Sequence, residues 1–126
     1  MFSHSLYNVM HIFGIALMFV AIGGVAIHSA NGGTKVDSST RKLVSIGHGL
    51  GALLVLVGGF GMLARLGMQH GAGFPKWLWV KITIWLVLSA IVLLPYRKPA
   101  LARPLFVLMP ALAGFAAYMA IYKPIN

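Results

Sequence analysis

Cysteine is absent from this chain, and acidic side chains nearly so, with Asp37 standing against ten lysines and arginines. Without thiols there is no disulfide, no thiolate nucleophile, and no iron–sulfur or cysteine-ligated metal site. With one carboxylate there is neither a paired general acid and base nor a carboxylate-bridged metal pair, and Asp37 is expected to lie alone in a Gly/Ser/Thr-rich loop. Charged residues are also scarce, at 9%, while 60% of the residues are hydrophobic. Soluble domains are roughly half apolar and about one-quarter charged. A water-soluble fold of this composition would precipitate. Any redox role requires a bound cofactor.

Four long apolar runs occupy most of the 126 residues. A spanning helix needs about 20 residues, so there is room for one membrane domain and for no soluble catalytic domain. The expected fold is an all-α integral membrane bundle of four transmembrane helices with short loops. The helices are expected at about residues 6–29, 43–66, 77–96 and 105–122. The segment ANGGTKVDSSTRK supplies the first loop and GMQHGAGFPK the second. RKPALARP ends the third helix, because its prolines remove backbone donors. The opening MFSHSLYNVM has neither a basic leader nor a small-residue cleavage site, which reads as a retained helix rather than a signal peptide. No internal repeat or low-complexity segment is visible.

The formal net charge is +9, yet the basic residues stand singly or in pairs beside apolar runs. That placement suits anionic headgroups and topology setting, not nucleic acid. Lys35, Arg41, Lys42, Arg97, Lys98 and Arg103 fall on one side of the bilayer, and Arg65, Lys76 and Lys123 on the other. The positive-inside rule then predicts that loops 1 and 3 are cytoplasmic and both termini external, in a bacterial-type inner membrane. Trp77, Trp79, Tyr7 and Tyr122 would form an outer interfacial belt.

Polar residues inside a bilayer are expensive, which singles out His11, His48 and Lys81, with His28 nearer a helix end. His11 and Lys81 are expected about one turn into their helices on the outer side, where His4 and His70 are read as interfacial residues without a ligand role. His48 is expected near the cytoplasmic end, with His28 roughly level. A haem clamped by two histidines needs both at similar depth, and His11 and His48 are separated by on the order of 15 Å at the helical rise per residue. Better matched pairs are His28 with His48, or His11 with His70, Met10, Met68 or Met119; a single axial histidine is the third arrangement. Each histidine has a plainer reading as a residue hydrogen-bonded to a neighbouring helix. Lys81 either snorkels to the interface or holds an anionic group inside the bundle. Gly47, Gly51 and Gly58 share one face of helix 2, suited to close helix contact or to a flat ligand.

The order of features resembles the HemJ-type membrane protoporphyrinogen oxidases and their relatives among the copper-resistance D-like membrane proteins. The resemblance is carried by MHIFGIALMFVAIGG in helix 1, TRKLVSIGHGLGALLVLVGGFGML in helix 2, WLWVKITIWLVL opening helix 3, and the closing IYKP. It covers most of the chain, but the His of helix 1, the Trp–Lys pair and the terminal Lys-Pro carry most of its weight. It implies that His11 ligates haem b, that Lys81 is the catalytic residue partnering substrate or haem, and that Trp77 or Trp79 accompanies it. The family offers no role for His48, which stays a cofactor and metal-ligand candidate as an intramembrane histidine. The family's acid-containing connections are missing here.

Three functional classes follow. The first is a haem- or porphyrin-binding membrane protein, oxidising a porphyrinogen or passing electrons to a quinone. The second is a non-enzymatic subunit or anchor of a larger complex or homo-oligomer. The third is a copper or small-solute pathway using histidine and the seven methionines, since imidazole and thioether suit copper; those methionines are scattered without a tight pair motif.

Overall fold

In a lipid environment every backbone N–H and C=O has to be satisfied within its own segment, so apolar runs of this length become helices. The computed structural model describes residues 2–66 and 74–125. It contains α1 (His4–Ala30), α2 (Arg41–Arg65), α3 (Lys76–Ala90), the short α4 (Leu94–Arg97) and α5 (Ala102–Tyr122). A 3₁₀ turn, Ile91–Leu93, joins α3 to α4, and another, Pro99–Leu101, joins α4 to α5. Among the described residues, four helical stretches are long and apolar enough to cross a bilayer: His4–Ala30, Arg41–Arg65, Lys76–Arg97 and Pro99–Tyr122. The expected four-helix, all-α membrane fold is therefore the observed one. Large apolar side chains such as Val20, Val107 and Ile121 are 70–75% exposed, as befits a surface solvated by acyl chains.

Local chemistry sets the ends of these helices. Ser3 caps α1 by accepting the Leu6 amide on its hydroxyl at 3.1 Å, the ordinary N-cap arrangement. Beyond Ala30 the amides of Asn31, Gly32 and Gly33 turn back onto Ile27, Ser29 and His28. Gly32 makes this turn at φ +84°, where a side chain would be strained. Helix α5 starts three residues earlier than expected. Pro104 falls in its first turn, where no amide hydrogen is required. The third span departs from the expected single helix in the other direction, tightening at Ile91 ahead of the basic stretch. Pro95 has no N–H to give to the Ile91 carbonyl. The break is pinned by the buried Ser29 hydroxyl, which donates to the Pro95 carbonyl at 2.6 Å.

Helices α1 and α2 pack most intimately. A methyl group at Gly14 would lie 2.7 Å from the Gly51 carbonyl, and one at Gly58 2.7 Å from the His11 amide nitrogen and the Tyr7 carbonyl. The two backbones thus touch, as small residues allow in membranes, where dispersion contacts replace the hydrophobic drive. Gly51 and Gly58 act in this packing as expected, but Gly47 does not: nothing lies within 4 Å of a side chain built there. Met18, Ile22, Ile84, Leu88 and Met109 join α1, α3 and α5 in one apolar cluster. Leu63, Trp77, Leu78 and Met119 form a second, joining α2, α3 and α5. Helix α2 meets α3 only sparsely, and this separation leaves space inside the bundle.

Candidate functional site: a cationic cavity inside the bundle

A cavity of ≈ 620 Å³ lies among α1, α2, α3 and α5, within the roughly 300–1,000 Å³ typical of small-molecule and cofactor sites. It runs from mid-bundle, at Met18 and Leu88, to the end that holds both termini, at His4 and Lys123. Its walls are mostly Ile, Leu, Val, Phe and Ala, with His4, Asn8, His11, Lys81 and Lys123 as polar points.

His11 is positioned by the helix contact just described. Because Gly58 lets α1 approach, the His11 ring lies across Gly59, where an added methyl would sit 3.4 Å from ring atoms Cε1 and Nδ1. Nδ1 then reaches the Val55 carbonyl at 2.8 Å. A carbonyl only accepts, so in the neutral ring Nδ1 carries the proton and Nε2 keeps its lone pair. Nε2 has no hydrogen-bond partner among the described residues. Anchoring one ring nitrogen on a backbone carbonyl is how proteins orient a metal-ligating histidine.

Lys81 also lines the cavity. It is half-buried and forms no hydrogen bond or salt bridge among the described residues. Trp77, Lys81 and Trp85 recur every four residues, so they share one face of α3, and all three line the space. Trp85 fixes that face by donating Nε1–H to the Ala52 carbonyl of α2 at 3.0 Å. At the mouth, the Lys123 ammonium sits 5.3 Å from the centre of the Trp77 ring. The chain's single acidic side chain, Asp37, is at the opposite end. The cavity is therefore apolar and cationic, with no carboxylate side chain to neutralise it.

Several expectations are corrected. His48 is buried, but it turns to α3, donating Nε2–H to the Leu88 carbonyl at 3.3 Å, and it does not line the cavity. It lies ten residues along α2 from Gly58, the neighbour of His11, which amounts to about 15 Å. Nor is it level with His28. Gly51 faces Gly14 and Met18 while Gly58 faces Tyr7 and His11, and this antiparallel register sets His48 opposite Phe19. His28 is nine residues further along α1, beyond the start of α2. Its Nε2 is taken by the Thr34 carbonyl and the Asp37 carboxylate, each at 2.8 Å, and its ring meets Tyr96 edge-on. Asp37 is thus paired rather than alone, and it also accepts the Thr34 amide at 2.8 Å.

Trp79, two residues from both Trp77 and Lys81, points away from the cavity and is 50% exposed. Trp77 is only 6% exposed, so it is an inner wall rather than part of an interfacial belt. Of the sulfur ligands weighed for His11, Met119 is packed in the second core cluster and Met10 does not line the cavity; Met18 and Met62, which were not among them, do line it. His70 and Met68 lie outside the described residues. No group of three or more His, Asp or Glu side chains that could hold a metal forms among the described residues. Gly59, Trp85 and Lys123 were not singled out from sequence as site residues. The four-residue spacing on α3 carries the signal for Trp85, and Lys123 was marked only by its place in the closing IYKP, without a role in the site.

Compared with family models, with curated proteins and with solved structures, the chain matches none of them.

Proposed function

We propose that this multi-pass membrane protein binds a haem or a related tetrapyrrole in the cavity, with His11 Nε2 toward the metal and Lys81 toward an acidic group of the ring's periphery. The observation that carries this reading is the pairing, in one apolar space, of an imidazole with a carbonyl-anchored Nδ1 and free Nε2 and an ammonium without a counter-charge. The residues fit such a group in three respects. The volume suffices for a cofactor, Gly59 leaves a flat wall beside the His11 ring, and a half-buried ammonium among apolar side chains favours an anion, because uncompensated charge in a bilayer is costly. Of His11 and His48, only His11 would hold such a group, since His48 belongs to the α2–α3 contact.

A haem held there would supply one-electron chemistry to a chain that has neither thiols nor paired carboxylates of its own. In this reading His11 orients the group, Lys81 neutralises its acid, and the apolar walls exclude water. Oxidation of a porphyrinogen, or electron transfer to a quinone, is the activity that follows. A bacterial-type inner membrane, with the cavity mouth on the external face, is the setting implied by the basic loops.

The absorption spectrum of protein purified from cells supplied with haem is the test. A Soret band present in the wild type, lost in His11→Ala and retained in His48→Ala is the expected result. A colourless wild-type preparation under those conditions overturns the reading.

A further inference from the structure

We propose that Lys123 is a second anion-binding residue of the cavity, and that the ligand class is accordingly an amphiphile with two acidic groups at one end of an apolar body. The proposal deepens the function proposed above and rests on its reading of the cavity as a site for an anionic amphiphile.

Lys123 follows α5 directly, at φ 48° and ψ 53°, a left-handed conformation that non-glycine residues adopt only when held there. That turn ends the helix and brings the side chain back across the bundle to the buried Trp77 ring at 5.3 Å. A lysine at the end of a spanning helix would ordinarily extend into the headgroups. This one is exposed, yet it borders the cavity mouth and rests on the Trp77 ring.

Trp77 precedes Lys81 by four residues, one turn and about 6 Å along α3. Lys81 therefore springs from the cavity wall one turn beyond the ring on which Lys123 rests. No acidic side chain approaches either among the described residues. The indole face holds Lys123 by a cation–π contact, a hold on the order of 1 kcal/mol, weak enough for an arriving carboxylate to compete. Two cations without a counter-charge, one a turn beyond Trp77 on α3 and one against the Trp77 ring, suit a diacid head. A monoacid would leave one of them uncompensated.

Trp77 and Trp85, which both line the cavity, are the reporters. In a Trp79→Phe background they are the remaining tryptophans, and their fluorescence is followed in neutral detergent during titration with two probe pairs. One pair is metal-free mesoporphyrin diacid and its dimethyl ester; the other is hexadecylsuccinic acid and its dimethyl ester. Both diacids are expected to quench this fluorescence with affinity on the order of tenfold above their esters, the range for hydrogen bonds to charged groups. Lys123→Met is expected to remove most of that preference and Lys123→Arg to keep it. A role for Lys123 confined to ending α5 would not distinguish acid from ester.

Equal affinities of acid and ester, a preference unchanged in Lys123→Met, or no binding of any probe overturns the proposal. If the hexadecylsuccinic pair shows the preference and the porphyrin pair does not bind, the dianion site stands and the tetrapyrrole reading falls.

Discussion

His11 meets a backbone carbonyl through Nδ1 and His48 through Nε2, and that difference decides which nitrogen each ring has to spare and where it points. His11 keeps Nε2 at the cavity. His48 spends Nε2 on α3, where it joins two helices that otherwise touch little. Replacing His48 by Ala leaves the Leu88 carbonyl without this donor and opens a void. A loss of about 1–3 kcal/mol is expected, seen as a lowered melting temperature in detergent, with no change in a haem spectrum. At the other end, hydrogen bonds from the Thr34 amide and from His28 hold the Asp37 carboxyl below the usual carboxylate range. A lowered folded value means that the stabilisation is present above the unfolded value of about 4 and is lost as the pH falls through the folded one. Hydrogen exchange of the Thr34 amide tests this. It should be slower in the wild type than in Asp37→Asn from pH 5 to 7, and the two should converge in stronger acid.

At the level of elements, the glycines of α2 look alike in sequence and differ in what they meet. Gly58→Ala would drive a methyl group into the α1 backbone, which has no flexible side chain there to yield. A loss of roughly 1–3 kcal/mol follows from overpacking of this kind, and the displaced α1 would carry His11 away from Val55. Gly47→Ala meets open space and exchanges the poorer helix former for the better, so its melting temperature should equal or exceed that of the wild type. Thermal melting of the two variants side by side checks both statements. Helix extents were legible to within about two residues for α1 and α2, because Gly32, the Ser/Thr run and the basic flank mark a change of medium. The α3–α4 break was not anticipated. The prolines of RKPALARP pointed to an end after Tyr96, whereas the missing donor of Pro95 acts four residues upstream, at Ile91.

For the whole molecule, an even number of spans places both termini at one end of the bundle, and the six basic residues in loops 1 and 3 predict that this end is external. A C-terminal alkaline phosphatase fusion should then be active and a C-terminal green fluorescent fusion dark. The opposite pair of results reverses the orientation and moves the cavity mouth to the cytoplasmic leaflet. Composition and run length sufficed to establish solvent and architecture, because lipid permits an apolar segment of this kind little besides a helix. They also brought His11 and Lys81 forward, since polar groups in hydrocarbon are rare enough to stand out. Which way each side chain faces was another matter. In a water-soluble helix an apolar stripe marks the buried side; in a bilayer the lipid is as apolar as the core, so that contrast disappears. Only the packing of the helices on one another set Trp77 inside and Trp79 outside, turned His48 to α3, and brought Lys123 to the cavity mouth.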